Sequence, residues 1–543
     1  MKTRFLCLLL FSLTLVSPAQ AAPQAGADDF QVFLYEAETP LPFSTLTQND
    51  VHFNGTLSVS RDPLYGDLLP DGSGGFTYVA NDEFWSLEMD SFVYKLTDAS
   101  GESEALVALH AGRLAITEVH MDENFENDNA FQPNTPYTIT LGVGSDLQWT
   151  EAAQLEGEYG AEFISFGEEA MMSSPDDQTG NGGGGTGNQG SGGATGTVGC
   201  LIPPPNQDGI VASTALMGVG GDPEALESTA LLRVRVTDNN YIVLEAKEGA
   251  GYRTSSELKL PGDRVFFELE WALSTNDKHN ILLRIDGRAV RLMDVDGLDL
   301  TDPVFHFGLS PPLNTTLTVP VHLAFDKIKV FSTEGQDLQP SILLALEDFE
   351  STDDVYDLVG TGVAVNAGGA ISGQQGLEAS ALNPGYSVSP DAALTPRLTT
   401  SLRVDFSQYV TTYGELPTFY AFGDAPTALS TDTEMRLRIW GGQGNEPRLI
   451  GTFANATTQG VNWSLSHAMP LGPVTLQVQF QAATSAEHAN GFLRVWKNDE
   501  VLFEFDDLDA LGSEADWNHL GLYAAGPGTS GYLLMDEFLV SGR

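Results

Sequence analysis

The chain has 543 residues, enough for several domains, and 42% hydrophobic composition, enough to bury their cores. With 74 Asp and Glu against 25 Lys and Arg it carries a formal charge of −49, which repels nucleic-acid phosphates and anionic membrane surfaces and suits hard cations such as Ca²⁺. Only Cys7 and Cys200 are present, so thiolate metal sites and dithiol redox motifs are excluded.

In chain order, Lys2 and Arg4 precede an apolar run from Phe5 to Val16 and small residues up to Ala21. This pattern predicts a secretory signal peptide over 1–21. No later run of about 18 apolar residues spans a bilayer. The expected location is therefore secreted or periplasmic, without membrane insertion.

Residues 30–110 read as short strands. Leu57 and Val59, Phe76 and Tyr78, and Phe92, Tyr94 and Leu96 recur at period 2, separated by turns such as Pro70-Asp71-Gly72-Ser73-Gly74-Gly75. The succession Gln48-Asn49-Asp50-Val51, Pro63-Leu64-Tyr65-Gly66-Asp67-Leu68, Asp71–Tyr78 and Asp90–Asp98 resembles bacterial cadherin-like (Ig-like) modules. That resemblance implies an extracellular spacer or adhesion unit. It also implies Ca²⁺ near its ends, for which Asp50, Asp90 and Asp98 stand in the similar places; turn capping is the other reading of the three.

Residues 111–175 receive no family, only a partly β character around Tyr137–Val143. From 180 to 199, 11 of 20 residues are Gly. That composition predicts a flexible linker over 176–200, with a reach of about 25 Å.

Beyond it, two stretches repeat one another: Arg264–Trp271 and Pro473–Phe480, Leu282–Gly287 and Phe492–Lys497, His306–Leu309 and Leu520–Leu522, Ala324–Val330 and Leu534–Val540. Leu231–Val236 is paired with Ser401–Phe406. These predict two copies of one β domain, at 201–335 and 341–543. Within them, Leu283-Arg284-Ile285-Asp286-Gly287, Phe307-Gly308-Leu309 and the closing strands around Asp326 and Asp536 resemble the concanavalin A-like, or laminin G-like, jelly-roll superfamily. The expected class is all-β and multidomain, an Ig/cadherin-like sandwich followed by two antiparallel jelly-roll sandwiches.

Catalytic signatures fail. There is no His-Glu-x-x-His and no Gly-x-Ser-x-Gly. Glu268 and Glu270 share a strand face about 7 Å apart, but Gln477 and Gln479 replace them in the second copy, which points to a solvated face. Trp271 is assigned to the core. A structural Ca²⁺ is expected where Asp348 and Glu350 meet Asp536, at Asp326 in the first copy, or in the loop with Asp294, Asp296 and Asp299. Trp440, Trp463 and Trp517, near turns, are the candidates for stacking on sugars.

The functional expectation is a secreted, non-catalytic binding or adhesion protein that recognises a polysaccharide, a cell-surface glycoconjugate or a surface protein. A glycan-active hydrolase or lyase and a structural spacer are the alternatives. The sequence leaves the oligomeric state open.

Overall fold

The computed structural model describes residues 22–52, 54–112, 114–123, 138–150, 160–165, 168, 170–173, 191–199, 214–222, 226–237, 241–259, 265–274, 276–300, 304–312, 321–338, 343–347, 349, 357–360, 363–367, 370–371, 375–380, 385–389, 397–410, 417–423, 433–441, 447–454, 461–464, 466–481, 491–508, 517–523 and 530–542. The signal-peptide segment and Cys200 lie outside them. No helix of the described residues is long and apolar enough to cross a membrane.

The N-terminal module is a two-sheet sandwich, as its alternating strands predict. Asp28–Val32, Gly101–Ala111, Met89–Asp98 and Thr56–Arg61 form one sheet, and Thr39–Leu41, Phe76–Ala80 and Gly66–Pro70 the other. Tyr78, Phe92, Tyr94 and Leu96 fill the space between them. A short helix, Asp82–Leu87, starts where the Asn81 side chain accepts the Phe84 N–H and where Asp82 and Glu83 favour its positive end. It buries Phe84 and Trp85 and ends at Glu88, in the left-handed conformation at φ 61°.

The rest of the described chain forms two sandwiches of identical topology. The first sheet of copy 1 runs Asp146–Thr150, Gly160–Ser165, Val321–Leu338, Ser191–Gly199, Val265–Leu273, His279–Ile285, Arg288–Val295. Its counterpart in copy 2 runs Val363–Asn366, Gly376–Ser380, Ser530–Gly542, Arg397–Asp405, Pro473–Gln481, Gly491–Lys497, Glu500–Leu508. The second sheets agree strand for strand as well. Thr138–Leu141, Ala170–Ser173, Phe305–Ser310, Ala215–Val219, Leu232–Val236, Tyr241–Glu248 and Gly251–Thr254 correspond to Asp357–Gly360, Gly385–Ser389, Trp517–Tyr523, Thr418–Gly423, Thr433–Gly441, Pro447–Ala454 and Val461–Trp463. Trp271 lies in the first core as expected. The turn Asp286-Gly287 has both residues at positive φ and closes a two-residue hairpin; in copy 2 Asn498-Asp499, with Asn498 at positive φ, closes the equivalent one.

Three expectations need correction. Copy 1 does not begin at 201: Leu114–Glu123 already pairs with Val321–Leu338, and strands from 138 to 173 complete both sheets, so the segment left without a family is part of the jelly roll. The glycine-rich stretch is not linker throughout either. Ser191–Gly199 is a central strand, bonded to Val265–Leu273 on one side and Val321–Leu338 on the other. Ladder bonds come from backbone groups, which glycine supplies as well as any residue, whereas the side-chain alternation that reveals a strand in sequence is missing. Finally, Leu232–Val236 corresponds by position in its sheet to Thr433–Gly441; Ser401–Phe406 falls on the strand equivalent to Ser191–Gly199.

The face read as solvated is in fact dry. Glu268, Gln477, Gln479, Arg284 and Arg494 are buried because the Ig-like module sits on the outward side of both first sheets. Arg284 Nε donates to Trp85 O at 3.1 Å and Asn280 Nδ2 to Leu34 O at 2.8 Å. From copy 2, Gln479 Nε2 donates to Ser86 O at 2.8 Å, while Tyr65 OH donates to Asn498 O at 2.7 Å. Arg61 and Arg403 both pair with Glu537. Copy 1 touches copy 2 directly where Arg494 Nη1 donates to Asp286 O and Arg288 pairs with Glu504 at 2.9 Å.

Glu88 stands at the centre. Its carboxylate lies 3.2 Å from Arg284 of copy 1 and 3.8 Å from Arg397 of copy 2. Arg284 also pairs with Glu270 at 3.1 Å and faces Glu268 at 3.9 Å. Arg284→Ala would remove the guanidinium that three carboxylates share, two of them buried, and is expected to cost about 3–5 kcal/mol. The check is denaturant unfolding of the full chain followed by limited proteolysis, in which the Ig-like module becomes separable from the variant and not from the parent.

Within the Ig-like module, Asp50 accepts from Gly26 N at 2.8 Å and from Tyr94 OH. Burial first, and repulsion from Asp50 second, push the neighbouring Asp28 carboxyl up to about 8. The unfolded chain ionises this group near 3.8, so it binds fewer protons than the folded protein between the two values and stability falls as pH rises through that window. Asp28→Asn removes that loss. Its melting temperature should exceed the parent's by a few degrees at pH 7.5 and match it near pH 4, by thermal unfolding at both pH values.

Candidate functional site

The outward side of each second sheet lies across the core from the Ig-like junction. In copy 2, Met435, Leu437 and Ile439 are in the core, so pleat alternation turns Arg436, Arg438 and Trp440 outward. Copy 1 repeats this: Leu232, Val234 and Val236 are core, and Arg233 and Arg235 point out.

Register extends the correspondence across four further strands. In copy 1 one row reads Glu245, Arg233, Gly218, His306, Ser173. In copy 2 the same row reads Thr452, Arg436, Ala421, His519, Val388. Each copy has a register shift at the same place, between Ala215 and Met217 and between Thr418 and Tyr420. Each also has a glycine at large positive φ two residues after the histidine, Gly308 at 136° and Gly521 at 142°. At Gly308 a Cβ would stand 2.1 Å from Ala170 O, so only glycine fits.

Copy 1 closes its own row. Arg233 Nε and Arg235 Nη2 both reach the buried Glu245 carboxylate, the latter at 2.5 Å. Burial by itself would raise the Glu245 carboxyl, but the two guanidiniums outweigh it and hold it below its ordinary value. Arg233 also stacks on the Tyr252 ring, 3.9 Å from its centroid, and donates to Glu227 O in the helix Leu226–Thr229. Leu226 covers Gly218 and packs on Met171 and Ala230. His306 is fully enclosed, with Nδ1 2.7 Å from Ser173 Oγ, and burial pushes its imidazole down to about 4, so it is neutral at ordinary pH.

Copy 2 is built differently. Where Glu245 bridges the arginines, the row has Thr452. Ala421 and Thr452 form a buried floor, and Arg436, Arg438, Trp440 and Arg448 rise from it half-buried. Burial first, and the charge of Arg436 second, hold the Arg438 guanidinium below its ordinary value. Arg448 is fixed by bonds from Nε to Ser466 Oγ at 2.9 Å and from Nη2 to Ser466 O at 2.8 Å. The side of the sheet thus gathers three guanidiniums beside an indole, donors that can bond hydroxyls or carboxylates and a ring that can stack on a sugar.

The three sequence-selected tryptophans all lie on strands of this sheet. Trp440 shares its side with the arginines; Trp463 pairs in register with Thr452, and Trp517 stands two residues before His519. The arginines, Thr452 and His519 were missed. Their signal was an alternating Arg-x-Arg present in both copies, at 233–235 and 436–438, hidden by pairing the first with the wrong strand.

The carboxylates selected for calcium are placed as follows. Asp348 and Glu350 lie outside the described residues. Asp536 is buried and accepts from Ile371 N at 3.1 Å and Glu537 N at 2.9 Å. Asp326 lies on the strand Val321–Leu338, opposite Thr197. Asp294 accepts from Asn276 Nδ2 at 2.9 Å, while Asp296 and Asp299 are exposed. In the Ig-like module, Asp90 is enclosed by the N–H groups of Leu64, Tyr65 and Ser91 and by Tyr78 OH, and Asp98 caps Ser100. Among the described residues, no group of three or more His, Cys, Asp or Glu is arranged to hold a metal ion.

In comparison with known proteins, residues 20–110 match the family model described as bacterial Ig domain. No curated protein matches the chain. Solved structures similar to it include the endo-β-1,4-glucuronan lyase of the fungus Trichoderma reesei, at 13% identity and a TM-score of 0.27, covering 37% of this chain and 90% of that one. Domain 4 of AbnA, a GH43 extracellular arabinanase from Geobacillus stearothermophilus solved with arabinotriose, is 16% identical, with a TM-score of 0.25 over 38% of this chain and 94% of that one. Alginate lyase A1-II′, of polysaccharide lyase family 7, is 13% identical, with a TM-score of 0.25 over 33% and 83%.

Proposed function

We propose that the chain is an exported, non-catalytic binding protein whose second jelly roll holds a polysaccharide along the side of the sheet that carries Arg436, Arg438, Arg448 and Trp440. The observation that supports this reading most is the grouping of three guanidiniums and an indole over a buried floor. In a chain of −49 net charge, such a grouping of cations is unlike the surroundings. Screening over about 8 Å at physiological salt leaves the local arginines, not distant carboxylates, to set the field a ligand meets there. The leader-like 1–21 segment supports export.

Binding of the full chain to immobilised polysaccharides tests the reading. Arg436→Ala with Arg438→Ala should weaken binding at least tenfold, since each removes about 1.5 kcal/mol or more of charged hydrogen bonding. Unchanged binding in the double variant removes the reading.

A glycan-active enzyme is the second reading, favoured by His519 standing in the same row as Arg436. Cleavage of a bound polysaccharide that His519→Ala abolishes would establish it in place of the first.

Structural calcium belongs to the proposal at the start of copy 2. Leu343–Glu347 pairs with Ser530–Gly542, which brings the chain just before Asp348 to the strand that carries Asp536. Ca²⁺ should then raise the melting temperature of the full chain relative to excess chelator. Equal values would discard it.

A further inference from the structure

We infer that Asn54-Gly55, at the entrance to the strand Thr56–Arg61 of the Ig-like module, is a self-modifying site in which His52 is the base that lets the Gly55 nitrogen close on the Asn54 side chain. The products are isoaspartate and aspartate at position 54, with ammonia released. The inference is independent of the polysaccharide reading.

Three observations carry it. The Gly55 N–H donates to His52 Nδ1 at 3.3 Å. The acceptor is an imidazole nitrogen and not a carbonyl, so the bond that fixes this amide also sets a base on its proton. Phe43 steadies the imidazole, edge to face with 5.8 Å between ring centroids.

The second observation is Asn54 itself. It is exposed and sits in the left-handed region at φ 51°, so water, the second reactant, reaches it freely. The third is that the turn selects glycine at 55. A Cβ there would stand 2.6 Å from Leu96 Cδ1 and 3.1 Å from His52 Nδ1, and Leu96 is buried in the module's core. Packing therefore keeps, next to Asn54, the residue whose missing side chain least hinders ring closure.

The steps balance without any further reagent. As the Gly55 nitrogen bonds to Asn54 Cγ, its proton passes to His52 Nδ1. The side-chain amide nitrogen takes that proton from the imidazolium and leaves as ammonia. Water then opens the five-membered imide at either carbonyl. Opening at the backbone carbonyl leads the main chain through the side chain, adding a methylene and a negative charge just before Thr56. That strand lies at the edge of its sheet, held by pairing such as Thr56 with Thr97.

The test is peptide mapping by mass spectrometry of the full chain held at neutral pH for several weeks, native and in urea, with isoaspartate resolved by its separate elution. Asn490-Gly491 has the same dipeptide and calibrates the rate in urea. Native Asn54 should convert at least as fast as in urea. His52→Ala should slow the native reaction at least tenfold and leave the rate in urea unchanged. His52→Phe, which keeps a ring against Phe43 without a base, should do the same, and melting temperatures show that each variant is folded.

A histidine that only packed would give the opposite sign, because its removal frees the turn and speeds ring closure. Native conversion slower than in urea would overturn the inference, as would a native rate that folded His52→Ala and His52→Phe leave unchanged or raise.

Discussion

The buried carboxylate of Glu88 is the contact on which the arrangement of the three modules depends. A charge taken out of water must be matched, and the two guanidiniums within reach come one from each jelly roll. The helix Asp82–Leu87 delivers it: its N-cap fixes the start, Phe84 and Trp85 anchor it, and the left-handed end turns the Glu88 side chain out of the module. Once Arg284 and Arg397 are committed, the strands that bear them bring Glu268, Gln479 and Arg494 into the same dry seam. The Ig-like module is thus a keystone of the assembly, whatever it does beyond it.

That seam has a functional consequence for the two sandwiches. A sandwich has two outer sides, and covering one with the junction leaves the other for a ligand. The copies then differ in the side chains that this other side carries. Glu245 and Leu226 fill the first, while Thr452 and the half-buried arginines shape the second.

Strand existence was legible wherever one face is apolar and the other polar, as in Val265–Leu273 and Pro473–Gln481. The meaning of the polar face was not. Glu268 and Gln479 look alike in sequence whether they meet water or another module, because alternation reports only that one side is apolar. The extent of copy 1 was also hidden: Ser191–Gly199 offers glycine where a strand pattern should be, and its place is set by the ladders on either side. Unequal lengths were the available clue, since 201–335 is much shorter than 341–543 for copies of one domain.

The site divides in the same way. Tryptophan content and position marked Trp440, Trp463 and Trp517, but the arginines beside them carried no motif until Leu232–Val236 was matched to Thr433–Gly441 by position in the sheet. By itself the sequence determined the all-β class, the Ig-like module, the duplication and the inward-facing cores, because these follow from period-2 patterning and turn residues. Only the tertiary structure decided where copy 1 begins, which polar faces are dry and which side chains share a row. Those depend on contacts between segments more than a hundred residues apart, such as Glu88 with Arg284 and Arg397, which no local pattern encodes.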